Sequence, residues 1–241
     1  LLIVFYKSKG GEFSQWKFDK TSTVQLLKGG WPLFIAFISS MLYLKIDQIM
    51  IGQLLDESSV GIFSAALKIY EIPFSVLVLL TSAFFPKIVE IYEKDKELFF
   101  KRYSQITALY TLSSMILLIV FIVFGKQIIL WLFGSNYIQS YSSLVILSMG
   151  LVFIYNGMLR SSYLSVTNNE KIIFYTSIIS AILNIFLNFI LIKRFGIMGS
   201  AMATLITQFI SLFLSNYFFA ETKKIFFIQL EAFYRFPKIR F

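Results

Sequence analysis

Four charged residues lie inside two otherwise apolar segments of this chain. Lys45 and Asp47 occupy the first segment, and Lys68 and Glu71 occupy the second. An ionisable side chain at the centre of a bilayer costs about 2.5–3.5 kcal/mol on insertion scales, and it usually faces a bundle interior or a water-filled cavity. We therefore expect an integral membrane protein with a polar interior, and a transporter is the first hypothesis.

The four charges are placed so that they can form pairs. The turn between the two segments centres near Asp56-Glu57, so Asp47 and Lys68 lie at similar depth, as do Lys45 and Glu71. Lys45 and Asp47 are separated by about 200° around a helix, so they cannot both face the same neighbour. We expect one pair to be structural and the remaining groups to point into a cavity. The alternative is that all four form pairs or that the lysines reach the boundary.

Two further residues are candidates for a substrate path. Arg160 closes an apolar segment, and its guanidinium is suited to bidentate binding of a phosphate; a basic anchor at the membrane boundary is the simpler interpretation. Pro73 follows Glu71 by two residues and removes a helical hydrogen bond. The resulting kink would line a substrate site or serve packing alone.

Small and amide side chains mark the last two apolar segments. Asn184 and Asn188 are four residues apart, on a face that we expect to include Ser177 and Ser180. Such a stripe usually joins helices in a membrane, with cavity lining as the alternative. Small residues also open the final segment, which predicts close helix packing there; they are Gly196, Gly199, Ala201 and Ala203.

The composition excludes several kinds of chemistry. The chain is 57% hydrophobic and 15% charged, and it contains no cysteine and no histidine, whereas soluble domains average about 45–50% apolar and about 25% charged residues. Disulfides, the usual zinc ligands and imidazole catalysis therefore lack their residues, and we expect no metal and no cofactor. The net charge of +9 comes from basic residues in short loops, which indicates contact with membrane lipid and not with nucleic acid.

The apolar segments are long enough to predict an all-α integral membrane protein with a six-transmembrane-helix bundle. Ile128 to Phe133 is too short to cross and is interpreted as interfacial. Residues 1–6 resemble the end of a preceding helix, 7–23 a cytoplasmic loop, and 221–241 a cytoplasmic tail, so that the lobe itself occupies 24–220. The six predicted spans are about 24–52, 61–86, 103–125, 139–163, 171–192 and 197–220.

The distribution of basic residues predicts the orientation. Of the 22 lysines and arginines, 17 lie on one side of the predicted spans and 3 lie in the alternate loops. Because cytoplasmic loops are enriched in lysine and arginine, both ends of the chain are expected in the cytoplasm.

Four segments, taken in order, resemble the polysaccharide repeat-unit flippases, the O-antigen and capsule exporters of the multidrug/oligosaccharidyl-lipid/polysaccharide superfamily. Segments 45–52 (KIDQIMIG) and 60–69 (VGIFSAALKI), with Phe85-Pro86 after them, are similar to the seventh and eighth helices of that family. Segments 184–192 (NIFLNFILI) and 195–204 (FGIMGSAMAT) are similar to its last two helices.

This resemblance implies a fold and a function. Family members have about twelve helices in two lobes around a central cavity, and they move an undecaprenyl-pyrophosphate-linked oligosaccharide across the bacterial cytoplasmic membrane. The chain would be the C-terminal lobe, with polysaccharide polymerase and chain-length proteins as further partners. Lys45, Lys68 and Arg160 are then expected to bind the anionic lipid pyrophosphate, and Asp47 or Glu71 to couple transport to a proton or cation gradient.

Three alternatives remain open from the sequence. A flippase for a peptidoglycan or teichoic precursor would share these features, and a cation-coupled multidrug exporter belongs to the same superfamily. A membrane enzyme of polysaccharide assembly is the candidate of another class. Its reaction site would need a large outer loop, and the predicted outer loops are short and contain neither histidine nor clustered carboxylates, so no enzyme activity is expected.

Overall fold

The computed structural model describes residues 45–234. Contacts divide the chain into Leu1–Lys45 and Ile46–Phe241, and the description that follows concerns the second unit. The start of the first predicted span, the stump 1–6 and the loop 7–23 lie outside the described residues. The described helices are α1 (45–54), α2 (Glu57–Lys94), α3 (Lys96–Phe133), α4 (Ser140–Met149), α5 (Leu151–Val166), α6 (Glu170–Phe195), α7 (Ile197–Gln208) and α8 (Lys223–Tyr234).

The predicted all-α class is confirmed, since residues 45–234 contain helices and no strand. Four helices of that range are long and apolar enough to cross a membrane, and the bent pair α4–α5 makes a fifth candidate. Exposed side chains are largely apolar, as at Leu79 (71% exposed) and Ile182 (66%). Buried positions include many hydroxyls and amides. A protein whose outer surface meets lipid is expected to have this distribution.

Helices α2 and α3 are each 38 residues long, about 57 Å at 1.5 Å per residue, so they extend well beyond a hydrocarbon core of about 30 Å. The prediction that Ile128 to Phe133 forms a separate interfacial segment is wrong. These residues form the last turns of α3. The helix continues through Gly125-Lys126-Gln127, where Lys126 Nζ lies 5.2 Å from the centroid of the Tyr141 ring. Helix α3 ends instead at Gly134, whose φ is 86°.

Asp95 alone connects α2 to α3. Its N–H donates to the carbonyl of Ile91, the end of α2. Its carboxylate accepts from the N–H groups of Glu97 and Leu98, both at 2.9 Å, which satisfies donors that a helix start otherwise leaves free. One residue therefore ends one long helix and begins the next.

Substituting Asp95 by alanine is expected to lower the free energy of unfolding by about 1 kcal/mol, because the cap of α3 is lost. Asp95→Asn is the matched control, since asparagine caps helices as well as aspartate does. The midpoint of thermal unfolding in detergent is measured for both variants. An equal loss for the asparagine variant would show that the charge, and not the cap, is what stabilises this connection.

The fourth and sixth predicted spans are not the uninterrupted helices that were expected. Helices α4 and α5 meet at Gly150 with a bend of 41°. The Gln208 Oε1 atom lies 2.1 Å from the place of a Gly150 Cβ, so the side chain of Gln208 occupies the space that the glycine leaves open. Beyond Gln208 the chain continues as a π turn, Phe209–Phe213, and a 3₁₀ turn, Leu214–Tyr217. Local side-chain insertion and irregular turns of this kind bend helices.

Two apolar clusters occupy opposite ends of the lobe. One surrounds Phe63, Ile129 and Leu144 near the α1–α2 turn. The other surrounds Phe99, Tyr163 and Ile225 near Asp95. Helix α8, which falls in the predicted tail, adds Ile225, Gln229 and Ala232 to the buried residues and packs against α3. Buried polar residues lie between the clusters, as the next section describes.

Candidate functional site

Asp47 lies in a polar pocket formed by three helices. Its Oδ1 accepts from Asn188 Nδ2 at 2.6 Å, and its Oδ2 accepts from the Thr204 hydroxyl at 2.8 Å. Asn188 Nδ2 also donates to Asn184 Oδ1 at 3.0 Å. One carboxylate on α1 is thus bound by side chains of α6 and α7 that follow it by more than 130 residues.

A buried polar stripe on α6 provides one wall of this pocket. The stripe runs at four-residue spacing through Thr176, Ser180, Asn184 and Asn188, as residues on one helical face must. The predicted polar face therefore joins helices, but the prediction that it includes Ser177 was wrong. Ser177 is exposed, because it lies one position away from the stripe, on the side that carries exposed apolar residues.

Close packing between α6 and α7 brings the other wall into place. A Cβ on Gly199 would lie 2.1 Å from the Leu191 carbonyl oxygen, so the absent side chain lets α7 approach the α6 backbone. Ser200, Ala201 and Ala203 beside it are fully buried. The predicted close packing is confirmed for Gly199, Ala201 and Ala203, whereas a Cβ on Gly196 would meet no atom within 4 Å. This packing lets Thr204 reach Asp47.

The pocket contains oxygen atoms suited to a hard cation. Besides the Asp47 carboxylate, the buried Asn188 Oδ1 and Ser200 Oγ atoms have no hydrogen-bond partner in the described part of the chain. Carboxylate, amide and hydroxyl oxygens are the donors that such cations prefer. Residues 45–234 hold no group of three or more His, Cys, Asp or Glu side chains that would make a conventional metal site. The pocket can hold a proton or one weakly bound cation.

The expected ion pair between Asp47 and Lys68 does not form. Within residues 45–234 the ion pairs are those of Glu90 with Lys87 and Lys94, and Asp47 is bound by neutral groups instead. Lys68 and Glu71 are both exposed. Lys45 belongs to the preceding unit, so its pairing with Glu71 remains a prediction.

An exposed polar stripe follows one face of α2. Lys68, Glu71, Ser75 and Ser82 are all exposed, and their spacing of three, four and seven residues places them on one side of the helix. Pro73 lies within the same unbroken helix, and its carbonyl accepts from the Tyr155 hydroxyl at 3.3 Å. Leu79, 71% exposed, lies between Ser75 and Ser82 on the same side, so the face is mixed. Its charged end, at Lys68 and Glu71, is the part that a lipid-facing surface disfavours.

A groove between α2 and α5 begins where this stripe ends. Its volume is about 470 Å³, and five hydroxyl-bearing residues line it together with aromatic and aliphatic groups. Pockets for small molecules commonly measure about 300–1,000 Å³. The hydroxyl-bearing residues are Thr81, Ser82, Ser161, Ser162 and Ser165.

Arg160 lies elsewhere, buried on α5 beside the apolar cluster of Phe99 and Tyr163. It is 1% exposed, and its Nε donates to Asn216 Oδ1. The interpretation of Arg160 as an anchor at the membrane boundary is therefore wrong. For Arg160 to contact a substrate, the packing around it would have to open.

Thr204 and Ser200 were missed from the sequence, although their segment was noticed for its small residues. The signal was present as a four-residue spacing of hydroxyls on α7, the same pattern that identified Asn184 and Asn188. Asn216 and Gln229, which hydrogen bond to each other at 3.0 Å, were also missed. Asn216 lies near the end of the last predicted span, and Gln229 lies in the predicted tail, where no helix was expected.

Comparisons with known proteins support the predicted resemblance. A family model described as "Polysaccharide biosynthesis protein" matches residues 1–92, which include Lys45, Asp47, Lys68, Glu71 and Pro73. The capsular polysaccharide biosynthesis protein CapF of Staphylococcus aureus is 26% identical over 196 residues, which are 81% of this chain and 49% of CapF. The probable low-salt glycan biosynthesis flippase Agl15 of Haloferax volcanii is 26% identical over 174 residues, 70% of this chain and 36% of Agl15.

A solved structure supports the fold. The chain is similar to the lipid II flippase MurJ in its inward closed conformation, with a TM-score of 0.69 and 19% sequence identity over 91% of this chain and 48% of that one. The chain spans about half the length of MurJ and CapF. The fold resembles that of about half of MurJ, and the sequence is similar to proteins named for capsular polysaccharide and glycan biosynthesis.

Proposed function

We propose that this chain is the C-terminal lobe of a flippase that moves a lipid-linked oligosaccharide across the bacterial cytoplasmic membrane for cell-surface polysaccharide synthesis. The exposed stripe of Lys68, Glu71, Ser75 and Ser82 carries this proposal. Since the rest of the exposed surface of α2 is largely apolar, the stripe is the face that would border a central cavity, with a partner lobe opposite.

The chemistry of this face suits such a substrate. A lipid pyrophosphate is anionic, and the Lys68 ammonium is a flexible cation that binds phosphate as a point charge; Lys45 would add a second. The α2–α5 groove, with its hydroxyls and the rings of Phe74 and Phe85, suits sugars, which combine hydroxyl groups with apolar ring faces. The names of CapF and Agl15 favour a glycan substrate over a drug.

Transport of this kind needs no covalent chemistry, so we assign no enzyme activity. Asp47 is the proposed coupling residue, because its carboxylate is held by Asn188 and Thr204 among further unpartnered oxygens. Glu71, the other candidate, is exposed on α2 and belongs to the proposed cavity wall. We place both ends of the chain in the cytoplasm, where polysaccharide polymerase and chain-length proteins are proposed partners of the whole transporter.

A peptidoglycan-type precursor is the second candidate substrate. The observation that favours it is the structural likeness to a protein named as a lipid II flippase. Complementation separates the two candidates: the full-length gene is expected to restore surface polysaccharide to a strain lacking its own repeat-unit flippase. Growth rescue of a strain depleted of its lipid II flippase, without restored polysaccharide, would favour the second candidate.

Replacing Lys68 by glutamine in the full-length protein is expected to reduce surface polysaccharide at least about tenfold, because the substrate's anionic group loses its cation. Lys68→Arg is expected to retain most display, since it keeps the charge. Lys101→Gln, an exposed charge loss on α3, is the matched control. Surface polysaccharide is measured by immunoblot against the amount of protein in the membrane. Normal display with Lys68→Gln would remove Lys68 from the proposed site.

A further inference from the structure

The interior of the lobe contains a positive charge that no acid neutralises within residues 45–234. Arg160 on α5 is 1% exposed. Its Nε donates to Asn216, but its Nη2 has no hydrogen-bond partner in that range. The ion pairs of the same range all involve Glu90, so no carboxylate there binds the guanidinium. Burying a guanidinium without a counter-charge is strongly unfavourable.

The register of α3 against α5 shows what lies opposite Arg160. The helices run antiparallel: Asn156 Nδ2 donates to Thr111 Oγ1 at 3.0 Å, while the Tyr103 and Tyr163 rings meet with centroids 6.1 Å apart. Arg160 is one turn from Asn156 towards Tyr163. Thr107, one turn from Thr111 towards Tyr103, is therefore its counterpart on α3.

The groups around this position are buried and incompletely bonded. The Tyr103 hydroxyl, the Thr107 hydroxyl and Asn156 Oδ1 are all inaccessible and without partners among the described residues. Native proteins rarely leave buried polar atoms unpaired, and here four of them, including Arg160 Nη2, fall on facing turns of two helices.

The chemistry of these atoms favours an anion over water alone. A water molecule would satisfy the hydroxyls but would leave the guanidinium charge uncompensated. The Arg160 guanidinium, the Tyr103 hydroxyl and the Thr107 hydroxyl offer three donors to an anion, and Asn156 Oδ1 is not among its ligands. Because Arg160 and Thr107 are 1% and 0% exposed, the position is closed to a lipid headgroup and only a single small ion is considered.

We propose that Arg160, Tyr103 and Thr107 bind one chloride-sized monovalent anion between α3 and α5. The anion neutralises Arg160 and thereby stabilises the packing of α5 against α3 and α8, which the Asn216–Gln229 hydrogen bond joins to the same cluster. This site shares no residue with the Asp47 pocket or the exposed stripe of α2. The proposed anion site does not depend on which substrate is transported.

The test is the thermal unfolding of the full-length protein in detergent, in sodium chloride or sodium gluconate at equal ionic strength. Because an ion that binds only the folded state stabilises it by mass action, the unfolding midpoint is expected to rise with chloride and to saturate, with bromide acting similarly. In Tyr103→Phe and Thr107→Val, the chloride concentration that gives half of this rise in the unfolding midpoint is expected to increase at least about tenfold. Arg160→Met is expected to abolish it.

Lys101→Gln is the matched control, because it removes a cation from α3 at an exposed position and is expected to keep the full chloride response. If Arg160→Met does not fold, the two single-hydroxyl variants still test the site. Equal midpoints of the unsubstituted protein in chloride and gluconate would overturn the proposal, as would an unchanged chloride response in both hydroxyl variants.

Discussion

Replacing Asp47 by asparagine in the full-length transporter is expected to lower surface polysaccharide to the level of a strain that lacks the gene, while the protein still accumulates in the membrane. The amide has nearly the size of the carboxylate; its oxygen can accept from Asn188 and its NH2 can donate to the Thr204 hydroxyl oxygen, so the fold is retained. The charge that would bind and release a proton or cation is lost, and with it the proposed coupling to a gradient.

Glu93→Gln is the matched control for this prediction, because it removes the same charge from an exposed side chain at the end of α2, outside the proposed cavity wall, and is expected to preserve most display. Reconstituted vesicles give the second readout. Transport of a labelled lipid-linked oligosaccharide by the unsubstituted protein is expected to respond to an imposed sodium or proton gradient, and the Asp47→Asn protein is expected not to respond. Normal polysaccharide display with Asp47→Asn would show that Asp47 is structural.

The sequence was sufficient to identify Asp47 as important but not to identify its partners. A carboxylate in an apolar segment is conspicuous by type alone, and so are two asparagines at helical spacing. Their contact joins α1 to α6 across 141 residues. Reasoning from adjacent helices offered Lys68 as the ion-pair partner of Asp47 instead. The depth of a residue in the membrane can be read from the sequence, whereas the rotation of each helix about its axis depends on all its neighbours.

Helix existence was predictable, while helix continuity was not. The apolar segments predicted α2, α3 and α6 well, since length and hydropathy are properties of the chain itself. The bend at Gly150 lies where Gln208 occupies the space of the absent side chain, a tertiary contact that the sequence alone does not reveal. Arg160 was misplaced for a related reason: a charged residue near the end of an apolar segment resembles a boundary residue until α3 and α8 cover it.

Because α6 and α7 approach closely at Gly199, a larger side chain at this position is expected to destabilise the protein strongly. Gly199→Ala is expected to lower the free energy of unfolding by about 3 kcal/mol, at the upper end for overpacking. The new Cβ would lie 2.1 Å from the Leu191 carbonyl oxygen and 2.3 Å from the carbonyl carbon. Both are backbone atoms, which cannot rotate away as a side chain does, so the two helices must separate.

Separation of α6 from α7 would also move Thr204 away from Asp47, so transport is expected to fall together with stability. Gly61→Ala is the control, because its Cβ would meet only the Tyr137 ring at 3.9 Å, an ordinary contact, and alanine favours the helix by about 1 kcal/mol. The midpoint of thermal unfolding and the amount of surface polysaccharide are measured for both variants. If Gly199→Ala matched the control in both, α6 and α7 could separate without cost, and their close approach could not be what positions the Asp47 pocket.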